Sequence, residues 1–343
     1  MERSLVEAQS IPFAPIQTGQ LRGKNPLTAL ANAGKMIVGV QQSLALLADY
    51  RPDVCFVTGG YVCTPVAIAC RLRRVPLLIY LPDLTPGLAI RWLSLLAQRV
   101  AVSFPETAAS FGRKGVVTGY PVRQALLDAV QDRETARREL GRVLGIEWGN
   151  DAQLPLLLVF GGSQGSRSVN RAIWSALPHL LPLAHIVHVI GVRDWPLLAE
   201  NQPSLPDELA RRYHPVDYLH DEMALALAGA DLALARAGAS TLAEFPIARL
   251  PSVLVPLPIS GGHQFPNAHK LADEGGAVIV RDEALGEKLL PVLTDLLQRE
   301  SRRLEMGAAV AKLAVPQAAL NIARQLVDLG AGRREGVERP AYA

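Results

Sequence analysis

The stretch that most constrains this chain covers residues 154–170, LPLLLVFGGSQGSRSVN. An apolar run bounded by a glycine turn reads as a buried strand. Ser163, Ser166 and Ser168 then offer N-cap oxygens to a helix behind it. Strand, glycine loop and helix start, in that order, present backbone N–H groups and the positive end of a helix dipole to an anion, usually a phosphate. An ordinary strand-to-helix turn has the same pattern, so this loop alone leaves the two readings level.

The alternation of which this stretch is one step runs through most of the chain. Upstream, apolar periodicity predicts helices over 27–50, 64–74 and 88–97, with strands at 54–57, 77–80 and 100–104. A short strand is also expected at 11–13, and a charged helical stretch reaches Leu144. Downstream, strands are expected near 154–160, 185–190, 214–218, 231–235, 252–256 and 277–281, with helices between them. Short apolar strands alternating with helices argue for parallel sheets covered on both faces. The 343 residues suit two domains of about 150 residues each. The turn at Gly119 and Pro121, followed by the polar segment 147–153, marks the boundary.

Composition excludes several classes. A net charge of +3, with its basic residues scattered, does not suit nucleic acid. Cys55, Cys63 and Cys70 lack metal-type spacing and fit small core residues in a reducing compartment. No run of about 18 apolar residues is present to span a bilayer, and MERSLVEAQSIP lacks the apolar core of a signal peptide. A cytosolic chain, at most associated with a membrane surface, is the expectation.

A second loop of the same kind lies about seventy residues further on, LALARAGASTLAE at 232–244. Gly238 and Ala239 allow close backbone approach, and Ser240 or Thr241 can cap the next helix. Both loops follow strand C-terminal ends and so point at one crevice. Glu244, one turn into that helix, suits a ribose diol, or else simply complements the helix dipole. A third loop, LPISGGHQFPNA at 257–268, places His263, Gln264 and Asn267 at another loop-to-helix junction. Two anion loops, an acid and a polar Gln/Asn set together fit a nucleotide-sugar site.

These motifs carry a resemblance. GGYV at 59–62, GYPVR at 119–123, GGSQGS at 161–166, RAGASTLAE at 236–244 and HQFPNA at 263–268 occur in the order seen in MurG-type glycosyltransferases, and LRGK at 21–24 resembles a further loop of that family. The resemblance spans nearly the whole chain. It implies an α/β protein of GT-B fold, two Rossmann-like domains with parallel sheets facing across a cleft. Residues 1–122 would form the acceptor domain, 123–315 the donor domain, and 316–331 a C-terminal helix packing back on the first domain. Residues 332–343 would be a disordered tail, the disorder starting from Gly330 on composition.

The activity implied is inverting transfer of N-acetylglucosamine from UDP-N-acetylglucosamine to undecaprenyl-pyrophosphoryl-muramyl-pentapeptide, lipid I, making lipid II for peptidoglycan. By position, Ser163 and Gln164 would hold the donor diphosphate, with Arg123 approaching it. Leu219 would lie at the loop reading the uracil edge. Ala239, Ser240 and Thr241 would line the second phosphate loop, Glu244 would hold the ribose, and His263 with Gln264 would meet the sugar. Gly59, Gly60 and Tyr61 would receive the acceptor diphosphate.

The departures are equally specific. The family starts with a strand and a glycine-rich loop ending in a His that carries the proposed catalytic base. This chain aligns from about forty residues later, so its first domain is expected to be N-terminally truncated and its turnover low. His263 stands where a Gln is common, and Leu81-Pro82-Asp83 replaces a Glu-Gln-Asn loop. Asp83 adds a carboxylate there and is a weak candidate for the general base. No Asp-x-Asp motif is present, so no metal clamp and no cofactor are implied. The leaving group would be stabilised by helix N-termini and Arg123.

A lipid acceptor places the chain peripherally at the cytoplasmic face of the inner membrane. Ile37, Val38 and Val40 beside Lys35, the apolar segment 88–96 around Arg91, and Arg71, Arg73 and Arg74 would suit an anionic surface. The plainer reading, core helices with solvated charges, is preferred for most of these residues. Two alternatives stand beside the leading one: a GT-B transferase for another lipid acceptor, and a nucleotide-sugar-binding protein without catalysis.

Overall fold

The structure, a computed structural model, describes residues 3, 6, 7, 10–19, 25–162, 165–258 and 264–338. The chain divides into two units, residues 1–82, 86–118 and 320–343 in one and 83–85 with 119–319 in the other.

The first unit holds a parallel sheet of β1 (Cys55–Val57), β2 (Leu77–Leu81), β3 (Arg99–Val102) and β4 (Gly115–Val117), in that spatial order. Val57, Leu77, Ile79, Leu81, Val100 and Val102 form its core with Ala67 of the helix Thr64–Leu72 and Ile90 and Leu93 of the helix Leu88–Leu96. β2 is buried along its whole length, as a parallel strand covered on both faces must be. The long helix Pro26–Tyr50 starts where Asn25 Oδ1 accepts from the Thr28 N–H, with Pro26 in the first turn, and ends in the left-handed Arg51. Residues 11–13 join no strand, which corrects the expectation made for them. Cys70 is buried, Cys55 and Cys63 are half-buried, and all three are free thiols.

The last helix, Ala318–Glu338, belongs to this unit from Leu320 on. Gln325 Oε1 accepts from Arg99 Nη1 at 2.6 Å, and Asn321 Nδ2 donates to the Thr118 carbonyl at 3.2 Å. The helix continues through Glu338, which corrects the expected disorder from Gly330. A glycine pair at 330 and 332 weakens a helix without ending it once the preceding turns are docked. Residues 339–343 lie outside those described.

The second unit holds six parallel strands in the order β10-β9-β8-β5-β6-β7, formed by β5 (Leu156–Phe160), β6 (His185–Val189), β7 (Tyr213–Val216), β8 (Leu232–Ala235), β9 (Ser252–Leu254) and β10 (Ala277–Ile279). β5 and β8 are neighbours, with Phe160 opposite Ala235. The glycine loops that follow them therefore emerge side by side, about 5 Å apart at the strands. The helix Arg167–Leu180 puts Val169, Ile173, Trp174, Leu177 and Leu180 into the core at three- and four-residue steps, against Leu157, Ile186 and Leu289.

Some residues read as core face water instead. In the long first helix Ile37 and Val38 are exposed, and in the helix Leu88–Leu96 so are Leu88, Trp92 and Leu95. Ile90 and Leu93 of the latter helix are buried and Leu96 packs half-buried against the same core, while Leu88, Trp92 and Leu95 are presented outward. Among the described residues, no helix is long and apolar enough to cross a membrane.

Candidate functional site

The first loop is shaped by its glycines. Gly162 and Gly165 have φ of +90° and +77°, and the Gly165 N–H donates to the Gly162 carbonyl at 2.9 Å. A Cβ on Gly161 would sit 2.5 Å from the Ser166 nitrogen, so the turn folds directly onto the helix start. Ser166 is the N-cap residue, but its side chain makes no capping bond. Its Oγ accepts instead from Arg236 Nε at 2.9 Å. Ser163 and Gln164, expected to hold a diphosphate, lie outside the described residues, as does His263.

Arg236 ties this loop to the next. It is 8% exposed and donates from Nη2 to Ser168 Oγ at 2.7 Å and from Nη1 to the Val255 carbonyl at 3.0 Å. Its Nη1 also lies 2.6 Å from Asp282 Oδ1, which accepts from Ser168 Oγ at 2.8 Å. A planar five-donor guanidinium is suited to such a junction, and a lysine is not. Arg236 stood inside a motif read for its glycine and serine, and Asp282 carried no sequence signal at all.

The second loop keeps Ala239 and Ser240 half-buried and Thr241 buried. Thr241 Oγ1 bonds the Gly238 carbonyl at 2.7 Å and Ser240 makes no cap bond, so neither hydroxyl caps the helix Thr241–Ala248 as expected. The Ser240 hydroxyl is turned to Glu244. Burial pushes the Glu244 carboxyl above its ordinary range, while the Ser240 hydrogen bond and the Arg123 charge pull it back.

Arg123 donates from Nη1 to the His220 carbonyl at 3.2 Å, beside the buried Leu219. The loop around Leu219 is held by Asp217, which accepts from the Tyr218 N–H, and by Glu222, which accepts from the His220 N–H. Burial, and then the charges of Glu244 and Asp83, push the Tyr120 phenol up. Gln264 uses its Oε1 to accept from the Leu257 N–H at 2.9 Å, bracing the start of its own loop. Asn267 is buried, with Nδ2 donating to the Ala237 carbonyl at 3.2 Å and to Asp83 Oδ1 at 3.4 Å. Among the described residues its buried Oδ1 meets no partner.

In the first unit, Gly59 and Gly60 have φ of +94° and +83° and lead into the short turn Tyr61–Cys63. A Cβ on Gly59 would strike Ile90 Cδ1 at 2.2 Å, so this glycine lets the loop lie against a core side chain. Cys63 Sγ donates to the Gly59 carbonyl at 2.9 Å, and Tyr61 is exposed.

Two parallel α/β units, the second carrying paired glycine loops, define a protein of the GT-B fold. Residues 1–102 match the glycosyltransferase family 28 N-terminal domain and residues 156–322 the glycosyltransferase family 28 C-terminal domain. The chain belongs to glycosyltransferase family 28. It is 39% identical to a UDP-N-acetylglucosamine–N-acetylmuramyl-(pentapeptide) pyrophosphoryl-undecaprenol N-acetylglucosamine transferase of Roseiflexus sp. (strain RS-1), over 96% of this chain and 81% of that protein. Its structure is similar to that of MurG from Acinetobacter baumannii, with TM-score 0.71 and 25% identity over 96% of this chain and 88% of the other. A UDP-GlcNAc 2-epimerase from Neisseria meningitidis shares the fold, with TM-score 0.66 and 13% identity over 95% and 88% of the two chains.

Proposed function

We propose that this chain is an inverting N-acetylglucosaminyltransferase that takes UDP-N-acetylglucosamine as donor and undecaprenyl-pyrophosphoryl-muramyl-pentapeptide as acceptor. The observation that carries the reading is the Arg236 junction. It braces two glycine loops on adjacent strands, each opening a helix, with a carboxylate one turn behind the second. Two helix N-termini side by side supply backbone N–H groups and positive field for a diphosphate, and Glu244 supplies two acceptors for a ribose diol.

The leaving half of the reaction follows from that arrangement. As the sugar–phosphate bond breaks, charge grows on the UDP oxygens, and fixed donors aimed at them stabilise the departing group without reorganising. Ala239, Ser240, Thr241 and Arg123 belong to this half, with Ser163 and Gln164 assigned to it by motif. Leu219 marks the uracil side, and His263 and Gln264 the sugar side. The buried Oδ1 of Asn267, which meets no partner among the described residues, adds an acceptor for a sugar hydroxyl, since an unmet buried acceptor costs about 1–3 kcal/mol. Asp83, beside Asn267, is the carboxylate we assign as candidate base. Gly59, Gly60 and Tyr61 are assigned to the acceptor diphosphate.

We place the acceptor, and the chain with it, at the cytoplasmic membrane face. The helix Leu88–Leu96 presents Leu88 at 53%, Trp92 at 71% and Leu95 at 68% exposure, with Arg91 among them. An indole and leucines rimmed by a cation suit shallow insertion at an anionic headgroup surface.

Incubating the chain with radiolabelled UDP-N-acetylglucosamine and lipid I tests the proposal directly. Label passing into a lipid-linked disaccharide supports it. UDP binding without that product favours the nucleotide-sugar-binding alternative, and transfer only to a different polyprenyl acceptor favours the other.

A further inference from the structure

The strand β6 buries two histidines, and one of them heads a chain of hydrogen bonds that ends under the first glycine loop. His188 is fully buried, with Nδ1 2.9 Å from the Tyr213 hydroxyl and Nε2 3.0 Å from Asn170 Oδ1. Trp174 Nε1 donates to the same hydroxyl at 3.1 Å. Asn170, also fully buried, donates from Nδ2 to the Ile190 carbonyl at 3.0 Å and to Asp194 Oδ2 at 3.2 Å. Asp194 Oδ1 accepts from Arg167 at 3.4 Å, at the first residue of the helix.

The chemistry at the two ends fixes every proton between them. An indole N–H only donates and an ionised carboxylate only accepts. The Tyr213 oxygen therefore accepts from the Trp174 Nε1–H and donates its own O–H to His188 Nδ1. That leaves the histidine proton on Nε2, directed at Asn170 Oδ1, and turns the Asn170 amide N–H groups to Ile190 and Asp194. No member can rotate or change tautomer without leaving a neighbour unmet, so the chain has one arrangement. Burial holds His188 neutral, its pKa lowered to about 3.

The loop rests on the groups that this chain orients. A Cβ on Gly165 would lie 2.5 Å from the Ile190 oxygen and 3.4 Å from Asp194 Oδ2. The Gly165 backbone is thus seated on the two acceptors held by Asn170. The Ser166 carbonyl in turn accepts from the Asn170 N–H at 2.8 Å, closing the first helical turn.

We infer that Asn170 and His188 are positioning residues for nucleotide binding: through Ile190 and Asp194 they fix the Gly165–Ser166 turn, and with it the helix N-terminus that a diphosphate needs. This rests on the reading of the first loop as a diphosphate site. Neither residue touches the ligand.

The test uses the full chain and two independent readouts, calorimetric affinity for UDP and for uridine, and amide exchange at Gly165 and Ser166. Asn170→Asp is isosteric and sets a second carboxylate against Asp194. It should weaken UDP binding about tenfold, the worth of one charge-assisted hydrogen bond, leave uridine within about twofold, and speed exchange at both amides. Pairing it with Asp194→Asn restores an amide facing a carboxylate and should recover most of the UDP affinity. Ile173→Val, which loosens the apolar face of the same helix, should leave both readouts unchanged. If Asn170→Asp does not fold, Tyr213→Phe removes a single hydroxyl from the chain and should weaken UDP about threefold. A folded Asn170→Asp or Tyr213→Phe protein with wild-type UDP affinity and wild-type exchange overturns the inference. Wild-type protein that fails to bind UDP overturns the diphosphate reading instead, while exchange still decides whether Asn170 sets the loop.

Discussion

Arg236 Nε donates to Ser166 Oγ across 70 residues of sequence, and by that bond the two glycine loops of the second unit share one rigid floor. The guanidinium is placed below the loops rather than in them. It makes its bonds to Ser166, Ser168 and Val255 and pairs with Asp282, so its charge is largely compensated before a nucleotide arrives.

Removing that floor should cost both stability and affinity. Arg236→Ala strands the Asp282 carboxylate and two hydroxyls, a loss on the order of 3 kcal/mol. Arg236→Lys keeps a charge but cannot reach all four acceptors, and should retain more stability than the alanine variant. Urea denaturation gives the first quantity and UDP titration the second. An Arg236→Lys protein equal to wild type in both would remove the bracing role.

Glu244 should show a conflict between binding and stability. Its carboxyl is raised in the folded state, chiefly by burial. A raised carboxyl contributes stability that is fully present below the ordinary carboxylate range and lost as pH rises through the folded value. At pH 7 the ionised side chain is therefore a local cost, which Glu244→Gln relieves. The variant should melt no lower than wild type at pH 7, with any advantage shrinking toward pH 4. Wild type should prefer UDP over 2′-deoxy-UDP, and Glu244→Gln should bind the two alike. Retained discrimination in the variant would dismiss the ribose contact.

Acid lability should originate in the second unit. His188 and His214 have their pKa values lowered to about 3 and about 4, both chiefly by burial, and His185 is lowered as well. The folded chain holds these rings neutral, whereas an unfolded histidine takes a proton near pH 6.5. Their contribution is intact above that pH and is lost as pH falls toward the folded values. For the fully buried His188 the slope approaches about 1.4 kcal/mol per pH unit. Unfolding free energies at pH 7, 6 and 5 should fall with more than one proton's slope, and His214→Phe should flatten it. A pH-independent stability across that window would contradict the burial seen here.

Much of this was legible in the chain, and the rest was hidden for a physical reason. Strand positions came through because a parallel strand buried on both faces is written as an apolar run, as LLLVF in β5 shows. Glycine loops came through because residues such as Gly162 and Gly165 adopt positive φ. Hydroxyl roles did not. Ser166, Ser240 and Thr241 were equally plausible as caps; Ser166 serves Arg236, 70 residues away, while Thr241 turns back to the Gly238 carbonyl and Ser240 to Glu244. Likewise, Asn170 and His188 meet only when a helix and a strand pack, and no local spacing encodes that. The outward face of the helix Leu88–Leu96 was misread because its near-continuous apolar composition conceals which residues point inward.

That face supplies the last prediction. Leu88, Trp92 and Leu95 remain exposed on a helix whose buried residues are only Ile90 and Leu93. Lys114 Nζ lies on the Ser94 carbonyl at 2.8 Å, adding a cation beside the same helix. Burying an indole and a leucine in a headgroup layer removes a few kcal/mol of apolar hydration, and the nearby charges add salt-sensitive attraction. Trp92→Ser with Leu95→Ser should therefore lower partitioning onto phosphatidylglycerol vesicles at least about tenfold. Arg91→Glu should weaken it mainly at low salt. UDP affinity in solution should not change in either protein, because the helix belongs to the other unit. Sedimentation with vesicles at two ionic strengths reads both effects. Equal partitioning by wild type and the double variant would show that this helix does not meet the bilayer.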